Sequence, residues 1–162
     1  ETALMSYSFP TERRQISNYI YDTLKNEEPE LIKKYNLIPF EMSVQCINRT
    51  LADKIFAVCD YYLQGKAQRN SRHLYDIFKL LNYVEIDEEF VELMMKVREH
   101  RKTVGEKIAP AANENVDILQ LYDSRFYEND YHNTTENIIS DEIDYSIVIE
   151  RYIQVVKELF EK

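Results

Sequence analysis

The sequence has few of the residues that make tight turns: its 162 residues include two glycines and four prolines. Tryptophan is absent, whereas leucine, lysine and glutamate are plentiful. A β-barrel or β-sandwich needs many tight turns, and glycine and proline usually supply them, so their scarcity disfavours both folds. Because leucine, lysine and glutamate are good helix formers, the composition favours a mainly α-helical protein.

Signals for export or for a membrane are also missing. No apolar run approaches the roughly 18 residues of a membrane-spanning helix, and the first residues do not resemble a secretory signal. Cys46 and Cys59 have no Cys or His at metal-ligand spacing, which indicates reduced residues in a packed interior. We therefore expect a cytoplasmic protein with no membrane among its partners.

The length fits a single domain over residues 1–162. The chain begins at Glu1 without a methionine, so we expect an upstream part to be missing. The P-loop, the dinucleotide-binding glycine motif and the H-E-x-x-H motif do not occur. The histidines His73, His100 and His132 are scattered, which indicates surface or capping positions, and no Ser-His-Asp arrangement is supported.

Hydrophobic periodicity predicts a helical bundle with one or two short N-terminal strands. Alternating apolar residues predict strands in ETALMSYSF, residues 1–9, and in IPFEMSVQCI, residues 38–47. Two strands do not make a stable sheet alone, so we expect them to belong to a larger sheet. Thr50 and Asp53 predict a capping box, and Asp87 predicts a helix cap. The predicted helices cover residues 12–26, 49–64, 71–83, 87–103 and 143–162, and residues 29–36 are predicted as a short helix or a turn.

Charge is unevenly distributed along the chain. The net charge of −9 disfavours a protein that coats nucleic acid through bulk electrostatics. Between Arg49 and Lys79, however, six cations stand against three aspartates. A basic segment in an acidic chain can hold a phosphate, although a chance cluster of solvated side chains gives the same pattern.

The helix that begins near Ser71 has two distinct faces at 100° per residue. Its apolar face carries Leu74, Ile77, Phe78 and Leu81. The opposite side carries Arg69, Arg72, Asp76, Lys79 and Tyr83, provided that the helix reaches back to residue 69. Asp76 is spaced for ion pairs with Arg72 and Lys79, and a surface pair of this kind contributes only about 0.5 kcal/mol.

The preceding helix offers a second partner for Asp76. Lys54 lies at the border of the apolar arc around Ile55, where a lysine can present its ammonium in a cleft. If the two helices are neighbours, Lys54 and Asp76 face one cavity. An ammonium stabilises phosphate charge, and a carboxylate orients or deprotonates an attacking hydroxyl. The alternative is a structural ion pair.

The segments RTLADKI, residues 49–55, and RNSRHLYDIFKLL, residues 69–81, together resemble paired motifs of the AbiEii/AbiGii nucleotidyltransferase toxin family. There an R-T-x-x-(E/D)-K helix leads to an R-x-S-R-H-x-x-D-(L/I) helix. The resemblance extends along the chain: residues 1–17 resemble a strand with a late glutamate, and VREHRKT and ENDYHNTTENII resemble the family's tail.

This resemblance implies an enzyme that uses an NTP and Mg²⁺ and acts as the toxin of a toxin–antitoxin or abortive-infection system against phage. It implies that Lys54 contacts NTP phosphate and that Asp76 orients or activates the acceptor, which is an RNA such as tRNA or a protein. Arg69, Arg72 and His73 become supporting phosphate or acceptor contacts, and Glu1 corresponds to a carboxylate of the metal site. The implied partners are the NTP, the acceptor and a cognate antitoxin.

The sequence departs from the family in one respect. The family's Gly-Ser turn and D-x-D metal pair have no counterpart in these 162 residues. We therefore interpret the chain as the C-terminal helical part of such a toxin, with short strands that belong to the sheet of a missing catalytic core. We expect it to be inactive alone. A second hypothesis is a stand-alone helical interaction module without catalytic activity, in which Lys54 and Asp76 form a structural ion pair.

Overall fold

The structure, a computed structural model, describes residues 10–113 and 115–160. The protein is mainly α-helical, with a small two-stranded antiparallel sheet, as the composition and periodicity predicted. The chain divides into two compact units, residues 1–46 and residues 47–162. The single-domain organisation expected from the length stays a prediction.

The first unit contains two short strands and two short helices. Its elements are β1 (Thr11–Ile16), α1 (Tyr19–Leu24), α2 (Pro29–Lys34) and β2 (Phe40–Gln45). The strands pair antiparallel, from Thr11 opposite Gln45 to Ile16 opposite Phe40. The strand predicted in residues 38–47 is confirmed, and residues 29–36, predicted as a short helix or a turn, contain the helix α2. The strand predicted in residues 1–9 lies outside the described residues.

The predicted helix over residues 12–26 is wrong in its first half, where β1 lies. Backbone pairing with β2 overrides the local preference, since strand formation depends on the partner strand more than on intrinsic propensity. Helix α1 begins only after Asn18, whose side-chain oxygen accepts a hydrogen bond from the backbone N–H of Tyr21 at 2.9 Å.

The second unit is helical and contains the larger core. Its elements are α3 (Ile47–Leu63), α4 (Arg72–Leu80), α5 (Glu88–Val104), a 3₁₀ turn (Pro110–Ala112), α6 (Ile118–Asp123), α7 (Glu128–Asp130), a π turn (Tyr131–Thr135) and α8 (Tyr145–Phe160). Helix α3 packs against α4, α5 and the 3₁₀ turn, and α4 packs against α8. The apolar stripe predicted on α8 is buried at Tyr145, Val148, Ile149, Tyr152, Ile153, Val156 and Leu159.

The two predicted caps have different outcomes. Asp87 caps α5 as predicted, because its carboxylate accepts from the backbone N–H of Phe90 at 2.8 Å. The capping box at Thr50 is wrong, since α3 begins at Ile47 and Thr50 lies inside the helix. Asp53 instead accepts two hydrogen bonds at 3.0 Å from the guanidinium of Arg49, one turn earlier.

Polar side chains fix α3 to its neighbours from inside the core. The hydroxyl of Tyr127 donates to the carbonyl of Val58 at 2.6 Å, and the hydroxyl of Tyr152 lies 3.0 Å from the sulfur of Cys59. Asp60 accepts from Arg101 of α5 and from the backbone N–H of Ala111 in the 3₁₀ turn. Burial raises the pKa of Asp60, although these two partners oppose the effect. Helix α3 is therefore anchored on several sides.

Within the ranges that the structure describes, no helix combines the length and apolarity needed to cross a membrane.

Replacing Tyr127 by phenylalanine removes the hydroxyl that donates to Val58 while keeping the buried ring. Because the lost hydrogen bond lies in the core, we expect the free energy of unfolding to fall by about 1 kcal/mol. Tyr122→Phe is the matched control, since Tyr122 is 38% exposed. Urea denaturation should show no decrease in the free energy of unfolding for Tyr122→Phe. Equal stability of the two variants would contradict the anchoring role of Tyr127.

Candidate active site

The side chains of Lys54 and Asp76 meet where α3 packs against α4. Lys54 Nζ donates to Asp76 Oδ2 at 2.6 Å, across 22 positions of sequence. The predicted proximity of these two residues is confirmed. The predicted pairing of Asp76 with Lys79 is wrong, because Lys79 binds Asp141 Oδ2 at 2.6 Å instead. Packing of α3 against α4 gives Asp76 a cation that its own helix does not supply.

His73 is the third member of this cluster. It lies one turn before Asp76 on α4, with Nδ1 3.3 Å from Lys54 Nζ and 3.8 Å from Asp76 Oδ2. An ammonium can only donate and a carboxylate can only accept, so Nδ1 serves as an acceptor for Lys54 or as a donor to Asp76 according to the tautomer. His73 is buried, so its predicted surface position is wrong.

Tyr61 holds the imidazole in place. Its ring stacks on His73 with a centroid distance of 5.6 Å and an interplanar angle of 4°. Tyr61 follows Lys54 by seven residues, which is two helical turns, so both lie on the same face of α3. Sequence reasoning missed Tyr61, although its spacing from Lys54 was a usable signal. The stack fixes the plane in which Nδ1 approaches Lys54.

The carboxyl group of Asp76 is ionised at neutral pH. Partial burial acts to raise its pKa, but His73 and Lys54 outweigh this effect and hold the pKa below its usual range. The side chains of Lys54 and Asp76 are 28% and 36% exposed, so a ligand can reach both. The cluster is thus a charged pair that is open to solvent on one side.

The hydrogen-bonding capacity of the pair is not exhausted. An ammonium has three donors, and Lys54 uses one on Asp76 and one on His73. Within the described part of the chain, Asp76 Oδ1 accepts no hydrogen bond. The site can therefore bind an anionic oxygen at Lys54 and a hydroxyl at Asp76 at the same time.

Arg69 and Arg72 lie at the start of α4 with exposed side chains. Among the residues that the structure describes, neither guanidinium forms a hydrogen bond or an ion pair. The polar face predicted from the sequence required the helix to reach back to Arg69. It does not, because α4 begins at Arg72. Arg69 instead has a φ of 63° and its backbone N–H donates to Asp130 Oδ1 at 2.8 Å. The predicted ion pair between Arg72 and Asp76 is absent.

The residues at this site do not by themselves fit Mg²⁺. The described ranges contain no group of three or more His, Cys, Asp or Glu side chains suited to a metal ion. Asp76 is a single carboxylate, and the ammonium of Lys54 already occupies one of its oxygens. Glu1, which the resemblance placed at the metal site, lies outside the described residues.

The lowered pKa of Asp76 predicts a pH-dependent contribution to stability. The contribution is present above the pKa of an unfolded aspartate, about 3.9. It is lost as the pH falls through the lower pKa of the folded state. The difference in unfolding free energy between wild type and Asp76→Asn should therefore shrink as the pH falls from about 5 to about 2.

The matched control for this titration is Asp123→Asn, since Asp123 is exposed and has no polar contact with a described residue. Urea denaturation at a series of pH values measures both differences. The two differences are compared at each pH. A constant difference for Asp76→Asn would show that its partners do not stabilise the ionised carboxylate.

Comparison with known proteins identifies the family to which these helices belong. A family model described as Nucleotidyl transferase AbiEii toxin, Type IV TA system, matches residues 3–158, nearly the whole chain. The matched range includes α3 and α4 with the Lys54–Asp76 contact. Searches of the curated proteins and of the solved structures found no match. The chain belongs to the AbiEii nucleotidyltransferase toxin family of type IV toxin–antitoxin systems.

Proposed function

We propose that this chain is the C-terminal part of an NTP-dependent nucleotidyltransferase toxin and supplies Lys54 and Asp76 to its active site. Membership of the family supports the general activity and implies an antitoxin partner. The observation that carries the assignment of residues is the 2.6 Å contact between Lys54 and Asp76, which lies open to solvent. The roles of individual residues are our proposal.

Lys54 binds phosphate oxygen of the NTP in this proposal. Its third N–H remains available, and an ammonium stabilises the charge that develops during nucleotide transfer. Arg69 and Arg72, whose guanidinium groups have no polar partner in the described part of the chain, add positive charge near the start of α4. His73 receives one donor of Lys54 and so directs the remaining donor outward.

Asp76 receives the acceptor hydroxyl at Oδ1. Its lowered pKa makes the carboxylate a weak base, so orienting the hydroxyl is its main role in this proposal and proton abstraction is secondary. Lys54 and Asp76 together hold the two reacting partners, a phosphate and a hydroxyl, on either side of one ion pair. Holding reactants in this way accelerates transfer by orientation.

The proposal includes groups that these residues do not provide alone. The NTP is used with Mg²⁺, whose ligands come from outside the described residues, together with a Gly-Ser turn and a D-x-D pair that these 162 residues do not contain. The acceptor is an RNA such as tRNA or a protein in the cytoplasm. A cognate antitoxin counteracts the toxin.

Lys54→Ala and Asp76→Ala in the full-length protein should each lower the nucleotide transfer rate by about 100-fold or more, because each removes a group that contacts a reactant. Toxicity in the host cell should disappear with the activity. Circular dichroism and thermal unfolding should show folded variants, since the pair is partly exposed.

Lys79→Ala and Asp141→Ala are the matched controls. They break an ion pair of the same length, 2.6 Å, that also involves α4. Their transfer rates and toxicity should stay near those of wild type. Toxicity that survives both Lys54→Ala and Asp76→Ala would instead favour a structural ion pair in an interaction module.

We also expect the 162-residue chain alone to transfer no nucleotide, because the Gly-Ser turn and D-x-D pair are absent from its sequence. Incubation with labelled NTP, Mg²⁺, and tRNA or total protein measures the activity. The full-length protein is the positive control. Robust labelling that depends on Mg²⁺ and on the short chain would contradict this expectation.

A further inference from the structure

Asp130 lies against the start of α4, although it follows that helix by about 50 residues. Its carboxylate accepts hydrogen bonds from the backbone N–H groups of Arg69 at 2.8 Å and Ser71 at 3.1 Å. It also accepts from the hydroxyls of Ser71 at 2.6 Å and Thr134 at 3.1 Å. Asp130 is 9% exposed, so these are interactions of a buried charge.

The backbone that Asp130 holds is in an unfavourable conformation. Arg69 has a φ of 63°, in the left-handed region that residues other than glycine rarely adopt. The Ser71 side chain makes no capping bond within α4, because its hydroxyl contacts Asp130 and Thr135 instead. A carboxylate beside the first turn also interacts favourably with the helix dipole. Asp130 therefore holds the backbone at Arg69 and Ser71, immediately before α4, from a distant part of the chain.

A π turn follows Asp130 and adds a second contact with Ser71 at the start of α4. The turn covers Tyr131–Thr135 and is closed by a hydrogen bond of 3.0 Å from the backbone N–H of Glu136 to the carbonyl of Tyr131. It places the hydroxyl of Thr135 2.7 Å from that of Ser71. Such turns are rare and often accompany functional sites. The segment from Asp130 to Thr135 is thus shaped to meet the start of α4.

Asp130 is charged in this position. Burial acts to raise its pKa, but the hydroxyl of Ser71 and the backbone N–H groups of Arg69 and Ser71 outweigh it and lower the pKa. Helix α3 is held by other hydrogen bonds: Tyr127 donates to the carbonyl of Val58, and Asp60 on α3 accepts from the backbone N–H of Ala111. Removing the carboxylate of Asp130 therefore leaves these hydrogen bonds of α3 with both of their partners.

We propose that Asp130 is a positioning residue that holds the first turn of α4, and through it His73 and Asp76, against Lys54 on α3. The inference rests on the proposed function, since it assigns Asp130 to the geometry of that same site. Asp130 itself is too buried to contact substrate. Its loss moves Asp76 and His73, on α4, and leaves Lys54, on α3.

The test compares Asp130→Asn with Leu121→Ala in the full-length protein. Leu121 is buried on α6, which packs against α8, so this control lowers the Tm without touching α4 directly. Asp130→Asn should lower kcat for nucleotide transfer by about 10-fold to 100-fold, because a small misplacement of Asp76 slows transfer. In the same variant, KM for the NTP should change by less than about threefold. Leu121→Ala should leave both kcat and KM near the wild-type values at temperatures below its Tm.

A spectroscopic readout makes the test independent of activity. The ¹⁵N signals of the His73 imidazole report which nitrogen accepts from Lys54, and they should shift in Asp130→Asn but not in Leu121→Ala.

If Asp130→Asn does not fold, Ser71→Ala has to show the same shift and a smaller loss of kcat. An inactive wild type would refute the proposed function, while the imidazole signals still decide the role of Asp130. Signals and kcat equal to those of Leu121→Ala would overturn the inference.

Discussion

The packing of α3 against α4 determines the distance between Lys54 and Asp76. Both residues are partly exposed, so their mutual attraction contributes little to stability by itself. The fully buried side chains of Leu74 and Ile77 on α4, together with Ile55 on α3, contribute far more through burial of apolar surface. The core therefore holds the two charges together, and they remain available for a ligand.

The cluster differs from an ordinary surface ion pair in its third member. Lys79 and Asp141 lie as close together as Lys54 and Asp76, but their side chains are 45% and 40% exposed, and the other groups that donate to Asp141 are the hydroxyls of Tyr75 and Ser140. At the candidate site, a buried imidazole lies beside the ammonium and stacks on an aromatic ring. The geometry thus distinguishes two pairs that their lengths alone do not.

The sequence predicted those features that depend on local periodicity. The helices around Lys54 and Asp76 follow from apolar spacing, whereas the contact of these two residues was predicted only on the condition that the helices are neighbours. Features that depend on distant partners were not predictable in this way. β1 forms because β2 pairs with it, and the start of α4 is held by Asp130, a residue 59 positions after Ser71. Likewise, Asp53 met Arg49 rather than Thr50 because α3 begins earlier than its pattern indicates.

We propose that Lys54 and Asp76 act on substrates and do not only bind each other. The most direct test is the nucleotide transfer rate of the full-length double variant with the charges exchanged, Lys54→Asp with Asp76→Lys, measured together with its Tm. An exchanged pair can still form across α3 and α4, so the account predicts a Tm above that of either single variant and no transfer activity. Recovery of activity along with the Tm would contradict the account, because it would show that only the ion pair matters.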